Sequence, residues 1–208
     1  MKSKTTLRRA ERADLDVIVS WMQDPDYMHF LYGDPARSPR QVRENIVSIL
    51  GRNQGTNLPG SIHLLIDHEE LGPIGLVSLQ KISWRNRACN VDFYMGNKAL
   101  RNRLETGVAM YRIAEYCFDE LNLHRIGAYI YSFNAPSWRL LERCGAQREL
   151  TLRDHVVRDG KLCDMYCYGL LRRDFNAFKE KASLFSSFSL EAMIERIEAG
   201  DDQTGKGE

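Results

Sequence analysis

The stretch that decides the fold is residues 88–131, ACNVDFYMGNKALRNRLETGVAMYRIAEYCFDELNLHRIGAYIY. It begins and ends with short runs that contain β-branched and aromatic residues, Ala88–Met95 and Arg125–Tyr131, and both runs predict strands. Between them, apolar residues recur every three or four positions from Leu104 to Leu121 and keep to one stripe. This spacing predicts the longest helix of the chain, with one face against a core.

The N-terminal part of the chain predicts one short strand and two helices. Thr5–Arg9 is the strand candidate, and Ala13–Met22 has apolar residues at helical spacing. The residues DPD at 24–26 end that first helix, because proline interrupts the hydrogen bonds of a helix interior. The residues SPRQ at 38–41 form a capping box with proline in the first helical position, which predicts the start of a second helix.

The remaining elements predict a sheet on both sides of the long helix. Ser61–Asp67 and Pro73–Ser83 are strands that form an antiparallel meander with Ala88–Met95. Pro136–Cys144 is a helix, and an Asp-Gly turn joins Gln147–Val157 to Leu162–Leu171 as a hairpin. The order β-α-α-β-β-β-α-β-α-β-β predicts a mixed α/β or α+β sheet, and excludes both a helix bundle and a doubly wound fold.

Composition limits the classes of function. The chain has 208 residues, 43% of them hydrophobic and 27% charged, with a formal net charge of +1, which predicts one compact domain. The charge balance disfavours a nucleic-acid or anionic-membrane partner, and no apolar run is long enough to predict a membrane span. The polar N-terminus predicts no signal peptide, and five cysteines without a C-x-x-C pair predict reduced thiols in a cytoplasmic protein.

The pattern changes near residue 175, and we divide the chain there. Residues 1–175 are predicted to form the main domain. Apolar residues at helical spacing over 176–200 predict a C-terminal helical extension. Residues 201–208 are polar and predict a disordered tail. The extension either covers the core, forms a dimer contact or acts as a lid over the substrate.

Several ordered segments resemble one protein family. They are YCFDELNLHRI at 116–126, NAPSWRLLERCGA at 134–146, LRRAERADL at 7–15 with WMQDP at 21–25, and the final hairpin from DGK at 159–161 into DMYCYGLL at 164–171. Together they resemble the GNAT superfamily of N-acetyltransferases, and within it the branch that contains the ribosomal-protein alanine N-acetyltransferases. The resemblance covers about residues 5–175.

The resemblance implies a fold and a reaction. The implied fold is a central, mostly antiparallel twisted sheet of about seven strands flanked by helices, and the implied acyl donor is acetyl-CoA, with no metal. The implied reaction is direct attack of a neutral amine on the thioester. That reaction needs a base for the amine, stabilisation of the oxyanion and a proton for the departing thiolate.

The phosphate-binding loop departs from the pattern of the family. The family places a loop of the form R-x-x-G-x-G/A before the long helix, where glycines let successive backbone N–H groups surround a pyrophosphate. At the corresponding positions, 100–107, this chain matches only with Arg101 or Arg103 and with Gly107. Leu104 and Thr106 stand where small residues are expected, and Glu105 adds a negative charge. We keep Arg101, Arg103 and Gly107 as predicted cofactor-binding residues.

The strand at 88–95 supplies the predicted catalytic centre. By analogy with the family, the thioester lies beside this strand, and the backbone of Phe93, Tyr94 and Met95 binds the cofactor and the oxyanion. Asp92 is the candidate base. The alternative is that Asp92 pairs with Arg85 or Arg87 in a structural ion pair, because such pairs also place carboxylates on strands.

The helix at 136–144 supplies three further candidates. Asn134 corresponds to the family asparagine that contacts the pantetheine arm, although asparagine is also a favoured helix N-cap. Ser137 corresponds to the serine near the thiolate and is a candidate acid, or else it caps the helix. Arg139 is placed to reach a cofactor phosphate, or else it lies on a solvated helix face.

The acceptor side is predicted more coarsely. Tyr27, His29 and Tyr32 lie in the segment that borders the acceptor groove in this fold, and they are the predicted substrate-binding residues. His124 falls in a helix-to-strand turn, which favours a structural role. The other histidines are scattered without metal-ligand spacing.

Two classes of function remain open. The first is a cytoplasmic N-acetyltransferase acting on a protein N-terminus or on a small amine such as an amino-sugar nucleotide, as a monomer or a homodimer. The second is a degenerate domain that binds an acyl-CoA or serves as an assembly module without turnover. The altered loop at 100–107 favours the second, whereas the presence of both Asn134 and Asp92 favours the first.

Overall fold

The computed structural model describes residues 5–31, 38–52, 58–101 and 104–184. Seven strands form one sheet in the order β1-β2-β3-β4-β5-β7-β6. Their bounds are β1 Thr5–Arg9, β2 Ile62–His68, β3 Gly72–Ser83, β4 Ala88–Met95, β5 Arg125–Tyr131, β6 Gln147–Arg158 and β7 Lys161–Leu171. The predicted seven-stranded mixed fold is confirmed, and each predicted strand is present.

Within the described ranges, six α-helices flank the sheet. They are α1 Leu15–Met22, α2 Pro25–Leu31, α3 Pro39–Arg52, α4 Leu104–Glu115, α5 Ala135–Arg143 and α6 Arg172–Leu184. Short 3₁₀ segments cover Arg12–Asp14 and Lys98–Leu100, and a single π-helical turn, Tyr116–Glu120, continues α4. None of the described helices is long and apolar enough to cross a membrane.

Helix α2 is a correction to the expectation from sequence. The residues DPD at 24–26 were expected to end the first helix without starting another, but Pro25 is the first residue of a new helix. Proline is suited to that position because the first helical N–H has no intrahelical acceptor. The Asp24 carboxylate also accepts the backbone N–H of Asp26 at 2.8 Å, which satisfies a donor of the first turn.

The two faces of the sheet bury separate cores. On one face, α4, the π-helical turn and α6 cover sheet residues such as Ile74, Val77 and Leu79, all of them fully buried. On the other face, α1 and α3 cover a smaller core around Leu65 and Leu76. The sheet is thus packed on both sides, as a layered α/β arrangement requires.

The described part of α6 belongs to this packing. Phe175 is 2% exposed, and its ring lies 5.3 Å from the ring of Tyr111 and 5.4 Å from that of Phe118. The predicted helical extension over 176–200 is described only as far as Leu184. The rest of that extension and the predicted tail at 201–208 lie outside the described residues.

One pair of strands departs from the antiparallel pattern. β4 and β5 are parallel and pair only through Ala88–Arg125, Cys89–Ile126 and Asn90–Gly127, whereas both strands continue beyond that point. All the other ladders are antiparallel. The two strands therefore diverge in the middle of the sheet, and the edge of β4 that faces β5 is unpaired after Asn90.

Candidate active site

The divergence of β4 and β5 opens a cavity, which we call the wedge cavity. Its volume is about 160 Å³, and its walls come from both strands and from α4, α5 and α6. The β4 wall includes Val91, Asp92 and Phe93, and the β5 wall runs from Gly127 to Ile130. Because successive backbone N–H groups of a strand point to opposite edges, part of the β4 backbone beyond Asn90 presents its polar groups to this cavity.

Gly127 sits at the point where the strands part. A Cβ atom at this position would lie 2.6 Å from Oδ1 of Asn90, which is too close for van der Waals contact. Because Gly127 has no side chain, the Asn90 amide can pack against it, at the last position where β5 pairs with β4. This contact marks the place where the ladder stops.

A second cavity, which we call the polar cavity, lies on the opposite face of β4. Its volume is about 260 Å³, and it lies between the sheet and the helices α1, α2 and α3. Its polar lining comes from three neighbouring strands of the sheet: His63 on β2, Ser78 and Gln80 on β3, and Asp92 on β4. Tyr27 of α2 contributes from the helical side.

Three of these side chains form one row across the sheet. His63 is the register partner of Ser78, and Ser78 is the register partner of Asp92. Directly opposed residues point to the same face, so the three groups lie side by side. Nδ1 of His63 is 3.0 Å from Oγ of Ser78, and burial lowers the pKa of His63 below its ordinary value. Burial therefore favours the neutral form of this imidazole.

Asp92 lines both cavities. Nε2 of Gln80 donates a hydrogen bond to its carboxylate. Burial raises the pKa of Asp92, while the bond from Gln80 and the positive charge of Lys81 act in the opposite direction. Arg87, which the sequence offered as a partner, instead donates to the carbonyl and side-chain oxygens of Asn122. Asp92 is thus a partly desolvated carboxylate at the boundary between the two cavities.

The predicted cofactor residues on and after β4 separate into two groups. Phe93 lines the wedge cavity, whereas Tyr94, Met95 and Arg101 lie outside its described lining. The guanidinium of Arg101 donates to the Met95 carbonyl at 2.9 Å, to the Tyr94 hydroxyl at 2.8 Å and to the Asp26 carboxylate at 2.6 Å. Arg101 therefore fastens α2 to the end of β4.

Lys98 adds to these contacts between α2 and the end of β4, which we call the clamp. Nζ of Lys98 is 3.0 Å from carboxylate oxygens of both Asp24 and Asp26. The pKa of Asp26 is lowered, first by the hydrogen bond from Arg101 and then by that from Lys98. Two cations and two carboxylates at the start of α2 thus hold this helix against the sheet.

The start of α4 borders the wedge cavity but lacks the expected glycines. Gly107 and Thr106 line the cavity, and the Thr106 hydroxyl donates to the Leu100 carbonyl at 2.8 Å. One carboxylate oxygen of Glu105 is buried and has no hydrogen-bond partner among the described residues. Arg103, also predicted to bind the cofactor, lies outside the described residues.

The helix α5 brings two predicted residues to the wedge cavity. Asn134 and Ser137 both line it. The Asn134 carbonyl accepts the backbone N–H groups of Ser137 and Trp138, at 3.2 and 3.3 Å, but within the described part of the chain its side chain makes no capping bond. Arg139 is exposed, and its guanidinium lies 5.2 Å from the centroid of the Trp138 ring.

The predicted acceptor residues are not all in one place. Tyr27 is 5% exposed, lines the polar cavity and packs edge-on against Tyr94 at 4.8 Å between ring centroids. The His29 ring instead lies 4.9 Å from that of Phe133, near the end of β5. Tyr32 lies outside the described residues.

The backbone of His124 makes two hydrogen bonds to residues distant in sequence. Its N–H donates to the Arg87 carbonyl at 2.7 Å, and its carbonyl accepts the N–H of Arg172 at 3.0 Å. Across the described ranges, no group of three or more His, Cys, Asp or Glu side chains is arranged to hold a metal ion.

His63, Ser78 and Gln80 were missed from the sequence. Each is a polar residue inside an otherwise apolar strand, and Ser78 and Gln80 are two positions apart, so they share a face. That alternation was the available signal. It does not show which strand lies next to which, and the register decides that His63 meets Ser78.

Comparison with known proteins identifies the family. Residues 4–147 match the acetyltransferase (GNAT) domain family. The uncharacterized N-acetyltransferase p20 of Bacillus licheniformis is 29% identical over 177 residues, which are 83% of this chain and 95% of that protein. The spermidine N(1)-acetyltransferase of Vibrio cholerae is 24% identical over 165 residues, which cover 79% of this chain and 91% of the relative.

A solved structure shares the fold. The crystal structure of the Vibrio cholerae spermidine N-acetyltransferase in complex with CoA and spermine matches with a TM-score of 0.71 and 22% identity, over 83% of this chain and 98% of that one. A putative ribosomal N-acetyltransferase of Bacillus subtilis is 27% identical, but over only 50% of this chain and 57% of its own length. The resemblance to the ribosomal branch therefore stays a prediction.

Proposed function

The chain belongs to the GNAT family of N-acetyltransferases, and we propose that it transfers an acetyl group from acetyl-CoA directly to a primary amine. The observation that carries this proposal is the position of Asp92, a partly desolvated carboxylate that borders both the wedge cavity and the polar cavity. A donor on one face of β4 and an amine on the other would meet at this residue.

We assign the donor to the wedge cavity. It is mostly apolar, and the β4 backbone beyond Asn90 is unpaired along the edge that faces β5, so an extended pantetheine arm would find both apolar walls and strand-like hydrogen-bond partners. In this proposal Asn134, the residue before α5, bonds the arm. The amide of Phe93, or of a neighbouring residue on β4, would stabilise the oxyanion that forms at the thioester carbonyl.

Asp92 and Ser137 take the acid–base roles in this proposal. The amine nitrogen attacks the thioester carbon and forms the new C–N bond, the C–S bond breaks, and the surplus amine proton passes to the Asp92 carboxylate. A base whose pKa is raised toward neutrality accepts a proton more readily than an ordinary carboxylate. In this proposal Ser137, which lines the wedge cavity, donates a hydrogen bond to the departing thiolate.

A second candidate function is a domain that binds an acyl-CoA without turnover. The start of α4 favours it, because one buried carboxylate oxygen of Glu105 has no hydrogen-bond partner among the described residues, at positions that correspond to the pyrophosphate loop of the family. The acceptor also remains a proposal: a protein N-terminus or a small amine. A relative is named for spermidine, and that name describes the relative. Whether this chain forms a homodimer likewise stays a prediction.

The deciding experiment has two parts. Calorimetric titration with acetyl-CoA measures binding, and release of the CoA thiol in the presence of a panel of primary amines measures transfer. We expect binding in the micromolar to millimolar range typical of substrates, together with amine-dependent thiol release. Binding without release for any amine, in the presence of a correctly folded protein, would favour the second candidate. No binding at millimolar acetyl-CoA would contradict both.

A further inference from the structure

The lining of the polar cavity carries charged groups of both signs. Among the described residues that line it, Asp92 is the one carboxylate and Lys81 is the one side chain with a permanent positive charge. Burial lowers the pKa of His63, which favours its uncharged form. The remaining lining is apolar or uncharged, with Ile18, Ile46 and others on the helical side. The cavity therefore offers one negative and one positive charge.

The fold directs Lys81 toward this cavity by a local irregularity. The β3–β4 register shifts between Gln80 and Ser83, and Lys81 lies within that shift with a φ of +50°. A bulge of this kind turns a side chain away from the direction that strict alternation would give it. Lys81 is exposed and close enough for its charge to act on Asp92, so it stands at the rim while Asp92 is inside.

We propose that the polar cavity is the acceptor site and that it takes a compact amine that also carries an anionic group, such as an amino acid, rather than a polyamine. This inference rests on the proposed acetyl transfer. The amino group would lie at Asp92, next to the thioester, and the anionic group would lie at Lys81. Ser78 and Gln80 provide uncharged hydrogen-bonding groups in the same lining.

Size and charge both support a compact zwitterion. A volume of about 260 Å³ is at or below the roughly 300–1,000 Å³ of pockets that hold drug-sized ligands. A diamine would place its second cation near Lys81 or against apolar walls, and either position is unfavourable for a charge. The described lining offers no second carboxylate for that cation.

The chemical step is the same for any acceptor of this class. The amine lone pair forms the amide bond to the acetyl carbon, the C–S bond breaks, and CoA leaves as a thiolate that is then protonated. The proton lost by the amine goes to Asp92 and from there to solvent. The products are the N-acetylated acid and free CoA thiol, with no other reactant.

The test compares three amines of equal chain length. They are 4-aminobutyrate, which carries a carboxylate, n-butylamine, which carries no second charge, and putrescine, which carries a second cation. Glycine and β-alanine extend the acid series to shorter spacings, and a short peptide with a free N-terminal alanine represents a protein acceptor. We expect kcat/KM to be highest for one of the amino acids and lowest for putrescine, with a ratio of roughly fivefold or more.

The charge of Lys81 is then reversed. Lys81→Glu should lower kcat/KM for the amino acids and raise it for putrescine, each by roughly fivefold. Lys81→Met removes the charge with little change of shape and should abolish the preference without inverting it. Lys161→Glu makes the same charge change at an exposed site on the β6–β7 hairpin and should leave the ratio unchanged.

The outcomes separate this inference from the function on which it rests. Acetyl transfer that prefers putrescine, or the peptide, over every amino acid would overturn the inference and leave the acetyltransferase proposal intact. If Lys81→Glu leaves the ratio of kcat/KM values between the amino acids and putrescine unchanged, the inference is also overturned and the acetyltransferase proposal stands. Absence of transfer to every amine, with acetyl-CoA bound, would overturn both together.

Discussion

The two faces of β4 differ in polarity. Toward α4 the strand presents Cys89, Val91, Phe93 and Met95, which are apolar or weakly polar and belong to or pack against the larger core. Toward α1 and α3 it presents Asn90, Asp92 and Tyr94 on alternate positions. A single strand thus separates an apolar cavity from a polar one.

The difference shows how one element can serve two substrates of opposite character. The thioester and its pantetheine arm carry no charge and suit an apolar wedge with exposed backbone amides. An amine is charged until it reacts and suits a cavity with a carboxylate. Asp92 belongs to both environments, and its raised pKa follows from that position. The first two changes below each alter one face and should leave the other intact.

The largest effect is expected from Asp92→Asn, which removes the base on the polar face. We expect kcat/KM for amine acetylation to fall by about 10²–10⁴, the usual contribution of a general base. The Kd for acetyl-CoA, measured by calorimetry, should change little. Asp16→Asn is the matched control, because the Asp16 side chain is 85% exposed and outside both cavities. Unchanged turnover in Asp92→Asn would remove Asp92 as the base.

The next effect is expected from filling the wedge. Ala128 lines the wedge cavity from β5, and Ala128→Leu would place extra volume where the pantetheine arm is proposed to lie. We expect affinity for acetyl-CoA to fall by about tenfold or more, because overpacking by several methylene groups costs about 1–3 kcal/mol. Ala99→Leu makes the same change at an exposed position. Equal Kd values for the two variants would place the donor elsewhere.

A third change tests the clamp that joins the two faces at the end of β4. Arg101→Gln removes donors to the Met95 carbonyl, the Tyr94 hydroxyl and Asp26. We expect the free energy of unfolding to fall by about 1–3 kcal/mol, since partly buried acceptors lose their partners. Arg139→Gln, at an exposed arginine, should change it by less than about 0.5 kcal/mol. If Arg101 binds cofactor phosphate instead, acetyl-CoA affinity will fall while stability is kept.

A smaller effect is expected at the start of α4. Glu105→Gln removes a negative charge close to Thr106 and Gly107 on the donor side. We expect affinity for acetyl-CoA to rise about two- to fivefold, the size of a single charge effect at a helix terminus. Glu115→Gln, at the other end of α4, is the control. Weaker binding in Glu105→Gln would show that this carboxylate helps the loop to bind the donor.

The smallest effect concerns stability as a function of pH. The pKa of Asp92 is raised in the folded state, so the ionised carboxylate destabilises the fold at pH values above the raised pKa. This cost disappears as the pH falls below the ordinary pKa of about 3.9. Asp92→Asn should therefore show a slightly higher Tm than the natural protein at pH 7, and the difference should vanish toward pH 4. A lower Tm at pH 7 would contradict a desolvated Asp92.

Sequence patterns predicted most of the scaffold because its signals are local. Short runs with β-branched and aromatic residues marked β4 and β5, and a stripe at helical spacing marked α4. The missed helix α2 shows the limit of such signals. Pro25 interrupts one helix and begins the next, and the choice between those outcomes depends on the ion pairs of Asp26 with Lys98 and Arg101, which lie more than 70 positions away.

The candidate site could be predicted only in part, because the contacts of its side chains also depend on residues distant in sequence. Asp92 and Ser137 were predicted because segments of the sequence resemble a family, and both line the wedge cavity. Arg101 was assigned to the cofactor from the same resemblance, but the Asp26 carboxylate is its partner in the fold. An arginine in sequence carries no mark of which acceptor it will meet.

By itself the sequence determined which residues form strands and helices and which face of each is apolar, because these properties follow from spacings of two and of three to four residues. Only the tertiary structure decided that β4 and β5 part after Asn90, and that His63, Ser78 and Asp92 share one row. Such features depend on register between strands that are distant in sequence, and no local pattern records that register. The two cavities on either side of β4 are therefore a product of the assembled sheet.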